Sequence, residues 1–176
     1  WLILELRLPI DVALVGLPNS GKSALLVALT GAAATVAPYP QSTRDPAFGP
    51  LEDADGNLHL VADLPGLAAD GTPRPDARLG QLERARVVVC CVEAADADDF
   101  AADLAAVREG VAPFTPPHAR ELVVATHGDL LEAPPPGADL AVDSVSGAGV
   151  DALRLRLLDL LAPEAPDPRP AAPDAP

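Results

Sequence analysis

Eight consecutive residues carry the plainest chemistry in this chain. Gly16-Leu17-Pro18-Asn19-Ser20-Gly21-Lys22-Ser23 has the spacing G-x-x-x-x-G-K-S. Two glycines let a backbone curl until its amide N–H groups face inward, and a helix N-terminus behind such a loop adds positive potential. A lysine followed by a hydroxyl then supplies an ammonium point charge and a metal-binding oxygen. That is chemistry for holding a polyphosphate beside a divalent cation. The alternative is a glycine-rich turn that binds nothing. The chain has twelve Lys and Arg residues, and the one lysine is Lys22. A compact ammonium fits inside a loop wrapped around phosphate, whereas a forked guanidinium does not.

Asp63-Leu64-Pro65-Gly66 adds a second constellation of the form D-x-x-G. Its carboxylate suits magnesium held through water, and its glycine amide suits a terminal phosphate. The pattern is weak alone, because many strand ends carry it. At about forty residues beyond the phosphate loop it is much stronger.

These residues need elements to hold them. Ile10 to Val15 reads as a buried strand leading into the glycine loop, and Lys22 to Leu29 as a helix with Leu25, Leu26 and Leu29 on one face. Gly31 is a helix stop. Residues 34–50 carry four prolines and read as loop. Phe48 to Glu52 and Leu58 to Ala62 flank a turn at Asp53 to Asn57, which predicts a hairpin. Gly71 to Pro75 reads as a mobile loop and Asp76 to Arg84 as a short helix. Val87 to Val92 is a valine-rich run suited to a strand buried on both faces. Ala97 to Arg108 reads as an amphipathic helix, Leu122 to Ala125 and Leu140 to Val142 as strands, and Val150 to Leu161 as the last helix. The alternation predicts a three-layer α/β domain with a mostly parallel sheet and one antiparallel hairpin strand. From Ala162 the chain is Pro, Ala and Asp with little to bury, so residues 162–176 read as a disordered tail.

Composition narrows the functional classes. At 176 residues the chain suits one domain. Its net charge of −14 argues against a direct nucleic-acid grip, since the arginines are scattered among more numerous carboxylates. A protein partner, or RNA contact through other parts, stays open. No apolar run is long enough to span a membrane. Cys90 and Cys91 are adjacent and so point to opposite faces of a strand, as two buried thiols in a reducing compartment. The expected location is the cytoplasm or an organellar matrix, not the secretory route. His59 and His118 have no identifiable partners and read as ordinary surface or strand histidines. Asp96, Asp98, Asp99 and Asp103 read as a solvated helix start and face rather than a metal cluster.

Together the motifs resemble the Obg family of GTPases. The likeness runs from about Leu4 to Leu161. It is most specific in Leu4 to Arg7 leading into Asp11 to Ser23, in Val36 to Thr43 ahead of Pro46 and Gly49, in Leu60 to Leu67, and in Leu82 to Arg86. The resemblance implies a P-loop NTPase G domain over residues 10–161, with residues 1–9 as linker from a preceding glycine-rich domain. It implies that Gly16, Leu17, Pro18, Asn19, Ser20, Gly21, Lys22, Ser23 and Ala24 cradle GTP or GDP. Thr43 would bind Mg2+ and the γ-phosphate, with Ser23 and Asp63 completing the metal ligands. Lys22, Thr43 and Gly66 would carry the hydrolytic chemistry. Asp129 would recognise guanine, Ser144 and Val145 would form the last base-contacting turn, and Asn19 would help bind K+. Family members act through the ribosomal subunit or its assembly factors.

The chain departs from the family at several points. The base motif, normally Asn-Lys-x-Asp, reads Thr126-His127-Gly128-Asp129. Thr126 lacks the amide's paired hydrogen-bonding groups, and His127 would stack on the base in place of the lysine stem. The turn Ser144 to Gly149 is one residue short. The glycine-rich run that follows D-x-P-G is replaced by Thr72-Pro73-Arg74-Pro75-Asp76. Leu67, by contrast, is usual for the family: an apolar residue stands where many other GTPases carry a water-orienting glutamine, which implies slow intrinsic hydrolysis. Three readings follow: a slow GTPase switch, a degenerate nucleotide-binding module with relaxed base choice, and a small-molecule kinase. The last lacks an acceptor pocket and an arginine-rich lid in the sequence.

Overall fold

A computed structural model describes residues 10–31, 35–36, 46–64, 67–74, 79–94, 97–127 and 133–162. Seven strands form one sheet: β1 (Val12–Val15), β2 (Thr35–Val36), β3 (Ala47–Glu52), β4 (Leu58–Asp63), β5 (Val87–Glu93), β6 (Arg120–Thr126) and β7 (Leu140–Ala141). Three helices, α1 (Lys22–Thr30), α2 (Ala97–Val111) and α3 (Val150–Leu161), cover its faces, with a short 3-10 helix at Leu79–Arg84. The strand order is β2-β3-β4-β1-β5-β6-β7. Only β3 runs against the rest, pairing antiparallel with both β2 and β4. The three-layer, mostly parallel sheet with one antiparallel strand therefore matches the sequence expectation.

Alternation of apolar side chains divides the core into two layers. Val88, Cys90 and Val92 of β5 face one cluster with Phe100, Leu104, Val107 and Val111 of α2. Val87, Val89 and Cys91 face the other, with Leu25, Leu26 and Leu29 of α1 and Leu153, Leu157 and Leu161 of α3. Period-2 strands and period-3.6 helices meet here as their patterns require. The two adjacent cysteines do fall on opposite faces, both free and buried.

Several expectations are corrected. Residues 34–50 are not all loop, because Thr35–Val36 pairs with Ala47 and Phe48 of β3. Backbone pairing overrides the proline-rich composition there. The described part of the segment expected as a helix from Asp76 is the 3-10 turn Leu79–Arg84, which buries Leu79 and Leu82. The segment expected to be mobile from Gly71 is closed by hydrogen bonds as far as Arg74. Ala68 N–H donates to Thr72 O at 2.9 Å, and Leu67 bridges Pro73. Local polar groups satisfy that backbone: Thr72 N–H and Oγ1 both donate to Asp70 Oδ1, at 3.0 and 2.7 Å. His59 does have a partner, with Nε2 lying 3.4 Å from Asp53 Oδ2. The linker and tail expectations lie outside the described residues, Ala162 apart.

Candidate phosphate and base site

Parallel strands end at one edge of the sheet, and in open α/β sheets ligands bind outside those carboxyl ends. β1 lies between β4 and β5, with α1 on one face and α2 on the other. The carboxyl ends of β1, β4, β5 and β6 deliver Gly16, Asp63, Glu93 and Thr126 to that edge. The turn after β7 brings Asp143 to Ser146.

The loop from Gly16 to Lys22 is shaped by two glycines. A side chain at Gly16 would overlap the Cys91 carbonyl and lie 2.6 Å from Ser20 Oγ, so the loop can pass β5 only without a Cβ. Gly21 caps α1 in the left-handed region at φ 74°. Asn19 is also left-handed, at φ 66°, a region asparagine tolerates. The helix has no side-chain cap and no acidic residue in its first turn. Its first ladder bond is Leu25 N–H to Gly21 O, at 2.9 Å. The amides of residues 21–24 therefore stay outside the ladder, and the helix N-terminus keeps its positive potential for an anion. Within the loop only the Ser20 amide is used by the described backbone, on Leu17 O at 3.3 Å.

Lys22 is buried, and its Nζ donates to Leu17 O at 2.6 Å and to Gly16 O and Ser20 Oγ at 3.1 Å. Burial pulls its pKa below the ordinary lysine value, while the charge of Asp63 acts the other way. An anion at the helix N-terminus would relieve that desolvation. Ser23 Oγ donates to Asp63 Oδ2 at 2.5 Å. The other carboxylate oxygen, Asp63 Oδ1, is buried with no hydrogen-bond partner. A buried carboxylate with one oxygen on a hydroxyl and one unsatisfied is an oxygen donor set suited to a hard divalent cation. These residues fit Mg2+.

Thr126 is 2% exposed, and its hydroxyl donates to Val92 O at 3.1 Å. Its Cβ and Cγ2 lie beneath Gly21, at the contact distance a side chain there would reach. Thr126 thus braces the phosphate loop from below, and its side chain does not reach outward to a base. His127 follows with a left-handed φ of 57°, and its Nδ1 lies 3.7 Å from Glu93 Oε1. Asp143 accepts the Val145 amide at 3.0 Å and the Ser146 amide at 2.8 Å, shaping the turn that carries Ser144. Val145 projects into solvent at 91% exposure. Thr43, Gly66 and Asp129 lie outside the described residues.

Sequence reasoning missed Glu93 and Asp143. Asp143 had a usable signal, an aspartate opening a Ser-Val-Ser turn. Glu93 had none, because only the β5–β6 register sets it opposite Thr126. A cavity of about 200 Å³ adjoins the loop, bordered by Leu17, Pro18, Ser20, Ala69, Glu93 and Asp103. It lies on the α2 side of the loop, and Gly21 to Ser23 do not line it. Among the described residues no helix is long and apolar enough to cross a membrane.

Comparison with known proteins agrees with this geometry. Residues 11–122 match the family of 50S ribosome-binding GTPases. The chain is 34% identical to the GTPase Obg of Desulforudis audaxviator, covering 99% of this chain and 46% of that protein. It is 38% identical to the GTPase Obg of Moorella thermoacetica, covering 74% of this chain and 32% of that protein. The chain thus spans less than half the length of these relatives. Among solved structures, the G domain of the T. maritima FeoB iron transporter superposes with a TM-score of 0.66 at 22% identity. That match covers 87% of this chain and 99% of the other, and it speaks for the fold alone.

Proposed function

The chain belongs to the 50S ribosome-binding GTPase family as a G domain of Obg type, and from that membership we propose that it binds GTP and GDP with Mg2+ and slowly hydrolyses GTP to GDP and phosphate. One observation carries the reading: Lys22, Ser23 and Asp63 converge at the open N-terminus of α1, where a carboxylate oxygen is buried without a partner.

In this reading Lys22 neutralises the outer phosphates, and the amides of residues 21–24, which lie outside the helix ladder, face the phosphates. Ser23, Asp63 and Thr43 hold the metal. Mg2+, when bound, contributes positive charge beside the outer phosphate oxygens. No described side chain serves as a general base. Leu67, at the position where many GTPases have glutamine, is 3% exposed and buried in the core. Backbone groups of Thr43 and Gly66 are left to align the attacking water, which is consistent with slow turnover. Asp129 selects guanine through N1–H and the exocyclic amine, His127 stacks on the base, and Ser144 and Val145 close its far edge. Asn19 contributes to a K+ site. The partner is the ribosomal subunit or one of its assembly factors.

A second reading draws on Thr126. Its hydroxyl is committed to Val92 O, and it has no amide to offer the base or the loop. That favours relaxed base selectivity, and at the extreme a binding module with little turnover. Calorimetric titration with GDP, GTP and ATP, together with turnover in Mg2+ with and without K+, separates the readings. Selective GDP binding with slow turnover supports the first. Nucleotide binding without turnover supports the second. A strong ATP preference supports a small-molecule kinase, and no nucleotide binding at all overturns all three.

A further inference from the structure

The segment Leu67 to Arg74 is clasped onto α2 through glycines. A Cβ on Gly110 of α2 would overlap the Gly71 carbonyl oxygen and lie 2.7 Å from Leu67 Cδ2. A Cβ on Gly71 would lie 2.7 Å from Ala106 Cβ, one helical turn earlier. Gly71 adopts φ 81°, a conformation that side-chain-bearing residues rarely hold. The segment also closes on itself. Gly71 N–H donates to Ala68 O at 3.1 Å, and Arg74 Nε donates to Leu67 O at 3.1 Å. Leu67 is buried in the α2-side core with Leu104 and Val107. The clasp is therefore a fitted joint with no room for one methyl group on either glycine.

Its position in the chain gives the joint a role. Asp63 is fixed by β4 and by Ser23, and the amide after it donates to Leu14 O at 3.1 Å. Leu67 is fixed by α2. The D-x-x-G motif runs between these two anchors. We infer that the Gly71–Gly110 joint is a positioning device for GTP hydrolysis: α2 fixes the downstream end of the γ-phosphate-sensing motif and so sets its reach into the site. Gly110 and Gly71 touch no substrate and act through Leu67. The inference rests on the GTPase reading above. It predicts an effect on GTP turnover that GDP binding does not share, because GDP lacks the phosphate that the motif senses.

Gly110→Ala tests it. Alanine is a better helix former than glycine, so the substitution conflicts only with the facing segment. Arg74→Ala is the second variant, opening the clasp without touching the core. Amide hydrogen exchange over residues 67–74 reports whether the clasp loosens. The expected result is faster exchange in both variants, GDP affinity within about twofold of the wild type, and GTP turnover reduced about tenfold to a hundredfold, as misplacement by about an ångström produces. Faster exchange with unchanged or raised turnover overturns the inference. So does unchanged exchange in both variants, and so does an equal loss of GDP affinity and turnover. A wild-type protein that binds GDP but never hydrolyses GTP overturns the catalytic reading and this inference together, whereas wild-type turnover that both variants retain overturns this inference alone.

Discussion

Ser23 Oγ and Asp63 Oδ2 lie 2.5 Å apart across forty residues of sequence. The pairing follows from the sheet. Leu14 and Asp63 are register partners on neighbouring parallel strands, and Ser23 sits in the first turn of the helix that leaves β1. The hydroxyl satisfies one carboxylate oxygen and leaves Oδ1 buried without a partner. An unsatisfied buried carboxylate oxygen beside a hydroxyl is the donor pair on which the proposed Mg2+ site rests.

Asp63→Asn should therefore separate stability from function. Removing a buried charge with an unsatisfied oxygen leaves the metal-free protein no less stable than the wild type. The Mg2+-dependent gain in GTP affinity should disappear. Thermal melts in chelator and GTP titrations with and without Mg2+ check both halves. A melting temperature well below the wild type's in chelator would mean the carboxylate serves structure instead.

Lys22→Ala should weaken GDP binding by about a hundredfold, since charge-assisted hydrogen bonds contribute about 1.5–3 kcal/mol each and 1.4 kcal/mol is tenfold. Lys22→Arg should not restore it. The ammonium already fits between the carbonyls of Gly16 and Leu17 and the Ser20 hydroxyl, where a planar fork has no room. Isothermal titration of both variants is the measurement.

Thr126→Val keeps the shape but deletes the donor to Val92 O. The expected loss is about 1 kcal/mol of stability, with the ratio of GDP to ADP affinity unchanged. Asp129→Ala should instead collapse that ratio. Denaturant melts and competition titrations distinguish the two residues, and a changed ratio in Thr126→Val would place its side chain at the base after all.

Three aspartates with lowered pKa contribute to the acid limit: Asp53, Asp143 and Asp70, the last held down by the Thr72 hydroxyl and amide. Hydrogen bonds from the Asn57 side chain and backbone, then from His59 and Asp55, hold Asp53 at about 2. The Ser146 side chain, followed by the Val145 and Ser146 amides, holds Asp143 below the ordinary carboxylate value. All three folded values lie below the unfolded ones. Each contribution is therefore present in full above the unfolded carboxylate pKa near 4 and is lost as pH falls through the folded value. Melting temperature should decline below about pH 4, and Asp53→Asn should flatten that decline. A decline of the same steepness in the variant would mean other carboxylates dominate.

Native protein should resist thiol reagents. Burial raises the Cys91 thiol to about 12 and pushes Cys90 up as well, with the Glu121 charge adding to the effect on Cys90. Reaction with a disulfide reagent at pH 8 should follow global unfolding, so its rate should rise with denaturant in step with loss of helical signal. Rapid labelling of native protein would mean that β5 opens locally.

The phosphate loop was legible from residues alone because its chemistry is local. Glycine spacing, a single lysine and a hydroxyl define it without reference to anything distant. The strand and helix alternation was legible for the same reason, since a short continuous valine-rich run marks β5 and period 3.6 is written into α3. The pairing of Thr35–Val36 and the bonds that close residues 71–74 were missed because composition records the cost of prolines and polar residues but not the partner that offsets it. For Thr35–Val36 that partner is β3, and for Gly71 it is Gly110.

Sequence by itself determined the place of the glycine loop between β1 and α1, the layered α/β architecture and the likeness to Obg-type proteins, because each depends on residues near one another along the chain. Only the tertiary structure decided that Thr126 braces the loop from beneath, that Glu93 faces His127, and that Leu67 is buried against α2. Those facts depend on strand register and on the approach of segments tens of residues apart. No local pattern encodes such distances, because they are set by the packing of the whole sheet.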